Sequence, residues 1–309
     1  MKVKHLISIT DLNSEEAKLL IHDAAAMKKG GTNRVLEGKV LALVFEKPSL
    51  RTRVSFDIAV HQLGGYCLYL SPQEVGLGTR EPVADVARVL GRYLDGIIAR
   101  TFAHQTVKTF AQYAGIPIIN ALSDWENPCQ AMADMLTIFE KKGKLAGLNL
   151  TYVGDGNNVA NSLVLAAALV GMNFTITCPA GYELNNLILR QAEQYASRTG
   201  STISMVHDPH EAVKAADVIY TDVWTSMGQE DEAAKRRYAF AGYTVGADLL
   251  EGAPPGVIFM HPLPAHQGEE IVSGLLEHPS SVVFDQAENR LHIQKAILAD
   301  VFREDGRSI

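Results

Sequence analysis

Phe45-Glu46-Lys47-Pro48-Ser49-Leu50-Arg51-Thr52-Arg53-Val54-Ser55-Phe56 is the stretch on which the fold turns. The residues that lead into it, Val40 to Phe45, form an apolar run that reads as a buried strand. Residues 54–63 have helical spacing, with Ile58, Ala59, Gln62 and Leu63 in the i, i+3, i+4 pattern. Pro48 turns the chain between the two, and Ser49 is a good N-cap. Two hydroxyls and two guanidiniums are thereby concentrated where a helix begins. Helix N-termini present unpaired N–H groups and the positive end of the helix dipole, so they attract anions. The planar forks of Arg51 and Arg53 suit phosphate oxygens. By itself the string is also compatible with a capped helix carrying two solvated arginines.

Outward from this unit the chain repeats the same alternation. Strands are expected over 66–70, 96–99 and 116–120, with helices over 82–94, 106–114 and 131–142 and a glycine-containing loop over 71–81. An N-terminal helical region, 1–37, is capped by Ser8 or Thr10-Asp11 and ended by Lys28-Lys29-Gly30-Gly31. Lys141-Lys142-Gly143-Lys144 marks a domain boundary. A second series follows, with strands over 148–153, 173–178, 202–206, 218–221, 257–261 and 282–285. Its helices are expected over 161–170, 185–199, 209–215 and 230–240, and a last helix runs over 286–303. This is an α/β chain of two doubly wound parallel-sheet domains, 1–143 and 144–285. Its active site is expected in the cleft between them, with domain closure and a mobile lid after Asp222.

Composition narrows the function classes. A hydrophobic content of 47% and a charged content of 20% describe an ordinary globular protein. The net charge of −7 argues against general nucleic-acid binding but leaves room for a local cationic pocket. Cys67, Cys129 and Cys178 are scattered, with no C-x-x-C spacing, so neither a disulfide framework nor a zinc site is suggested, and a reducing cytoplasm fits. No cluster of ligands argues for a metal. No signal-peptide core and no run of about 18 apolar residues is present, so no membrane association is expected.

Ligands of open parallel sheets bind beyond the carboxyl ends of the strands. The polar clusters fall there: Ser49/Arg51/Thr52/Arg53, Arg100-Thr101, Asn127/Gln130, Asp155/Asn157/Asn158, Asp222/Ser226 and His261. Each alone has a plainer reading. Arg100 is also compatible with a surface ion pair, Asn127 and Gln130 with helix caps, and His261 with a satisfied core histidine. Gly154-Asp155-Gly156-Asn157-Asn158-Val159-Ala160 matches the dinucleotide fingerprint G-x-G-x-x-A. However, the next strand ends in Cys178-Pro179 rather than in an acid, and two asparagines crowd the turn. Two amides and a carboxylate suit a polar zwitterion better than a diphosphate.

Together these residues resemble the aspartate/ornithine carbamoyltransferase family. Ser49-Leu50-Arg51-Thr52-Arg53 is similar to its S-T-R-T-R signature. Arg100-Thr101-Phe102, Pro128-Cys129-Gln130, Gly154 to Asn158, Asp222-x-x-x-Ser226-Met227-Gly228 and His261-Pro262-Leu263-Pro264 follow in the family's order, over almost the full chain. The D-x-x-x-S-M-G element points to the ornithine branch. The resemblance implies transfer of the carbamoyl group of carbamoyl phosphate to the δ-amine of L-ornithine, without a cofactor or a metal. It implies that Ser49, Leu50, Arg51, Thr52, Arg53, Arg100, Asn127, Gln130 and Arg290 hold carbamoyl phosphate. Asn158, Asp222, Ser226, Met227 and Leu263 would hold ornithine. Arg100, Asp222, His261 and Leu263 would act at the reacting centre. It further implies that helix 286–309 rejoins the first domain, and that the chain forms a homotrimer or a multiple of trimers in which loop 71–81 reaches a neighbour.

The chain departs from the family pattern at four positions. Leu50 replaces a threonine, Asn127 a histidine and Pro262 the cysteine of H-C-L-P, while Gly76 falls near a neighbour-facing polar residue. An amide at 127 still donates but carries no charge. The proline removes a thiol thought to help deprotonate the amine, and H-P-L-P is the aspartate-enzyme spelling. The acceptor therefore stays open between ornithine and a relative: putrescine, an acylated ornithine or aspartate. A nicotinamide-dependent dehydrogenase and an inactive binding paralogue are the readings from other classes.

Overall fold

The computed structural model describes residues 5–30, 34–226 and 228–303. The chain divides into two compact units, Met1–Leu136 with Glu288–Ile309, and Thr137–Ala287.

In the first unit, β1 (Val40–Phe45), β2 (Tyr66–Leu70), β3 (Gly96–Arg100) and β4 (Ile118–Leu122) form a sheet of order β2-β1-β3-β4. All three pairings are parallel. From β1 the chain steps to β2 on one side, then crosses to β3 on the other. The carboxyl ends of β1 and β3 therefore flank the point where the winding reverses. The register pairs Phe45 with Arg100 at that point. On one face, Ala42, Val44, Ile97, Ala99 and Ile118 meet Val86, Val107 and Phe110 in a continuous core. Truncating a fully buried phenylalanine such as Phe110 removes roughly 3–5 kcal/mol of stability.

In the second unit, β5 (Asn149–Val153), β6 (Asn173–Thr177), β7 (Ile203–Val206), β8 (Val218–Thr221) and β9 (Ile258–Met260) form an all-parallel sheet of order β7-β6-β5-β8-β9. The winding reverses between β5 and β8, where Val153 pairs with Thr221. The helix Asn158–Val170 is buried from Val159 to Val170, which explains its nearly unbroken apolar sequence. Two parallel-sheet α/β units are thus present, as expected.

Several local expectations are corrected. The apolar stretch 282–285 is not a strand. Ser281 makes only an isolated bridge to Phe259, and Val282 already accepts from the Gln286 N–H at 2.9 Å as the final helix, Val283–Val301, begins. The N-terminal helix runs only over Ser14–Lys28. Asn13 caps it in a capping box with Glu16, while Ser8 caps the separate 3-10 turn Ile9–Asp11. The expected helical ends at 1–4 and 31–33 lie outside the described residues. The loop 71–81 contains one helical turn, Pro72–Val75, with Pro72 at its first position. A short helix, Ala247–Glu251, had no counterpart among the expected elements. In the helix Leu50–Gln62 the buried residues are Thr52, Phe56, Ala59 and Val60. Ile58 is 41% exposed and Gln62 is exposed, so the buried stripe lies to one side of the one read from spacing.

Candidate active site

A first polar cluster is built at the winding reversal of the first unit. Ser49, in extended backbone at φ −160°, caps the helix Leu50–Gln62. Its Oγ accepts from the Thr52 N–H at 3.3 Å and donates to Thr52 Oγ1 at 2.9 Å. Thr52 is buried, and its Oγ1 also accepts from Arg290 Nη2 at 2.6 Å. The final helix thereby returns a guanidinium to the head of the helix that follows β1. Leu50 turns its side chain outward, 75% exposed, so only its backbone can serve a ligand.

Arg100 ends β3 and is 8% exposed. Burial pushes its guanidinium down to about 10, and the neighbouring charges of Arg290 and then Arg51 push in the same direction. Burial also lowers Arg51. Arg100 Nε is buried without a hydrogen-bond partner. Two guanidiniums that disfavour the charge of a third, buried one are an arrangement that a multiply charged anion would relieve. The surface ion-pair reading of Arg100 does not hold. Arg53 is placed differently. It is exposed, with its guanidinium 3.8 Å from the centre of the Tyr69 ring, and it is not among the charges acting on Arg100.

Asn127 and Gln130 are both buried. The helix Pro128–Lys142 begins directly after Asn127, whose carbonyl accepts from the N–H groups of Gln130 and Ala131 at 3.1 and 3.2 Å. Gln130 Nε2 donates to Asp134 Oδ1 at 2.8 Å, one turn along, which fixes the amide.

A second polar cluster lies at the winding reversal of the second unit. After β5, Asn157 caps the helix Asn158–Val170, its Oδ1 accepting from Val159 and Ala160 at 2.9 and 3.0 Å. The other end of the same amide donates from Nδ2 to Asp222 Oδ2 at 2.9 Å. Asp222 follows β8, is 7% exposed, and accepts at Oδ1 from the Val223 N–H at 2.8 Å. Burial raises its carboxyl, against the pull of the Asn157 and Val223 hydrogen bonds. Asn158 is the first residue of the helix. Ser226 sits in a turn, its N–H donating to Gln229 Oε1 at 3.2 Å and its carbonyl accepting from the Gln229 N–H at 3.0 Å. Met227 lies outside the described residues. Asp155 is ion-paired with Arg236 at 2.7 Å, and Arg236 Nη1 also donates to the Trp224 carbonyl at 3.0 Å. The segment after Asp222 is thereby tied to the end of β5.

His261 follows β9 and is fully buried. Its Nδ1 accepts from the Leu263 N–H at 2.9 Å, so Nε2 carries the proton and donates to Glu270 Oε1 at 3.2 Å. Its own N–H donates to Gln286 Oε1 at 2.9 Å. With both nitrogens engaged, the ring is a satisfied core histidine that orients the next turn. Leu263 stands at φ +57° before a cis peptide to Pro264, a left-handed conformation rare for a branched residue, and the His261 acceptor holds it there.

The dinucleotide reading fails on local packing. A Cβ at Gly156 would meet the Glu183 carbonyl oxygen at 2.4 Å, and the Gly156 N–H donates to Tyr182 at 2.8 Å. Chain 182–184 therefore lies where a pyrophosphate would approach the glycine. Reasoning from sequence missed the pairing of Asn157 with Asp222, for which the N-cap position before an apolar helix was the available signal. It also missed Glu270, Gln286 and Arg236, which carry no local signal because their partners are brought to them by the fold.

Residues 4–140 match the carbamoyl-P binding domain, and residues 146–301 the Asp/Orn binding domain, of aspartate/ornithine carbamoyltransferase. The chain is 51% identical over 300 residues to an ornithine carbamoyltransferase of Thermococcus kodakarensis, covering 96% of this chain and 95% of that protein. It is 50% identical over 300 residues to an anabolic ornithine carbamoyltransferase of Pyrococcus furiosus, again covering 96% and 95%. The solved ornithine carbamoyltransferase structure from Pyrococcus furiosus superposes with a TM-score of 0.92 over 96% of both chains at 50% identity.

Proposed function

We propose that this chain, which belongs to the aspartate/ornithine carbamoyltransferase family, transfers the carbamoyl group of carbamoyl phosphate to the δ-amine of L-ornithine, giving citrulline and phosphate. The observation that carries this reading is the buried Arg100 at the end of β3, its Nε without a hydrogen-bond partner, together with Arg290 held on Thr52 Oγ1 at 2.6 Å at the head of the helix Leu50–Gln62, a cationic cluster that calls for a phosphate-bearing donor. In this reading the first unit, with the final helix, holds carbamoyl phosphate and the second holds ornithine. The anabolic relative supports the biosynthetic direction.

The phosphate sits on Arg51, Arg100 and Arg290, the hydroxyls of Ser49 and Thr52 and the N–H of Leu50, with Asn127 and Gln130 near the carbamoyl group. Arg53 contributes field rather than contact while it stacks on Tyr69. The unprotonated amine attacks the carbamoyl carbon, an oxyanion forms, and the bond to the phosphate oxygen breaks with its electron pair leaving on phosphate. Arg100 and Thr52 stabilise the oxyanion, and one such donor is worth about 3 kcal/mol of barrier. Asp222 holds the amine, whose proton leaves with phosphate or water. Asn158, Ser226 and Met227 hold the amino-acid end. His261 is a positioning residue, setting the turn that presents the Leu263 carbonyl.

A homotrimer, or a multiple of trimers, is part of the same proposal. Leu50, Val54 and Ile58 stand four apart on one helix face at 75, 44 and 41% exposure, beside exposed Tyr66 and Leu68 on the edge strand β2. Such a face suits a second copy of the chain. Three free cysteines agree with a cytoplasmic setting. Among the described residues no helix is long and apolar enough to cross a membrane.

A panel of acceptors with carbamoyl phosphate, read as ureido product by colour, tests the reaction. Ornithine is expected to exceed putrescine, acylated ornithine and aspartate by at least about a hundredfold in kcat/KM. A preference for any of the others, or no product with all four, overturns it.

A further inference from the structure

The sequence showed no ligand cluster, but the fold of the second unit gathers one outside the groups assigned to transfer. His266, Glu269 and Glu270 place an imidazole nitrogen and two carboxylate oxygens within 4.8 Å of one another. They share a tight turn in which the Glu269 N–H donates to the His266 carbonyl at 3.0 Å and the Gly268 N–H to the Ile271 carbonyl at 2.7 Å. The turn is pinned from a second segment. Thr244 Oγ1 donates to the Glu269 carbonyl at 2.8 Å, and the Val245 N–H to the Glu270 carbonyl at 2.9 Å.

Glu270 makes this more than a surface cluster. Its side chain is 0% exposed. Oε1 accepts from His261 Nε2 at 3.2 Å and from the His266 N–H at 2.5 Å. Oε2 is buried without a hydrogen-bond partner and faces His266 Nδ1 at 3.9 Å. His261 reaches Glu270 through Oε1 alone, and its Nδ1 accepts from the Leu263 N–H, so it offers nothing to Oε2. A buried carboxylate oxygen in this situation calls for a cation. Arg237 does not fill that role. It is 58% exposed and pairs with Glu269 Oε1 at 3.3 Å, leaving the second oxygen of Glu269 for another ligand.

We propose that His266, Glu269 and Glu270 form a binding site for a divalent first-row transition metal, with zinc as the best match. One imidazole and two carboxylates favour zinc, nickel or manganese over calcium and magnesium, which prefer oxygen alone. Metal–ligand bonds of about 2.0–2.2 Å need the three donors drawn together by roughly an ångström. The His266 ring, 51% exposed, and the Glu269 side chain, 29% exposed, have the freedom to do so, while Glu270 stays fixed. An ion on Oε2 completes a chain of metal, carboxylate, imidazole and the Leu263 turn, the arrangement by which outer groups orient inner ones. The site stands independently of which amine accepts the carbamoyl group.

The test uses the full chain, stripped with a chelator and dialysed. It is titrated with zinc chloride against a chromophoric competitor, and its melting temperature is read with and without zinc. One ion per chain and a rise of several degrees are expected, with no effect of magnesium at the same concentration. His266→Ala changes an exposed side chain and Glu269→Gln a half-buried one of nearly the same shape, so both should fold. Each is expected to weaken zinc binding at least about tenfold. Absence of zinc binding at micromolar concentration overturns the site, as does equal binding of magnesium. Undiminished zinc affinity in the double variant also overturns it, since that places the ion elsewhere, on the cysteines for example.

Discussion

Arg290 donates to Thr52 Oγ1 at 2.6 Å across 238 positions of sequence. The bond joins the last helix of the chain to the helix that follows β1, where the proposed phosphate site lies, and Arg290 there adds to the burial that lowers Arg100. Arg290→Gln is expected to raise KM for carbamoyl phosphate at least about tenfold and to lower kcat by up to about a hundredfold. KM for ornithine should move little in a steady-state assay. An unchanged KM for carbamoyl phosphate would remove Arg290 from the site.

Asp222 is fixed by Asn157 and by the Val223 N–H. Asp222→Asn is expected to cost at least about a hundredfold in kcat/KM for ornithine while leaving carbamoyl phosphate binding intact, as read by protection against heating. Activity within a few-fold of the parent protein would show that another group holds the amine.

His104 gives a pH dependence of stability. It is buried, with Nδ1 2.8 Å from Ser123 Oγ, and burial together with Lys108 lowers it from 6.5 to about 4. The folded chain therefore resists a proton that the unfolded chain accepts. This contribution is constant above about pH 6.5 and is lost progressively as the pH falls from there toward 4, where it levels off. Melting temperatures taken across that window should fall less steeply in His104→Asn than in the parent chain. Identical slopes would dismiss the histidine as a source.

Gly156 packs its α-carbon against the backbone of Glu183 and Leu184. An alanine there brings its Cβ to 2.4 Å from the Glu183 carbonyl oxygen, so chain 182–184 must shift. A loss of about 2 kcal/mol is expected, or roughly 4–8 °C in melting temperature. A melting temperature within a degree of the parent's would show that the turn yields freely.

Val54 and Ile58 lie on the exposed apolar face of the helix Leu50–Gln62. Sedimentation or light scattering should report about three times the 33.6 kDa chain mass, or a multiple of it. The double variant Val54→Glu, Ile58→Glu should release smaller species. A monomeric parent chain would end the trimer proposal.

Much of this was legible from residues alone. The run into Phe45, the Pro48 turn and the Ser49 cap located the first strand and the helix after it because strand, turn and cap signals are all local. The paired winding reversals followed from strand alternation. What stayed hidden depends on contacts distant in sequence. Ile58 carried the right spacing for burial, yet the buried stripe runs through Thr52, Phe56, Ala59 and Val60. Val282 to Asp285 had strand composition but enters a helix, because its partner Phe259 offers only one bridge. His261 was legible as a polar residue at a strand end. That both its nitrogens are occupied depends on Leu263 and on Glu270, and only the folded turn decides that.

The Asn157 amide begins a buried helix with its oxygen and steadies Asp222 with its nitrogen. A protein that drifted toward a different acceptor by altering this residue would have to start its central helix some other way at the same moment. With Asp222 holding the acceptor as proposed, choice of substrate and ability to fold are inherited together at one side chain, so new specificities in this unit should arise more readily at Ser226 than at position 157.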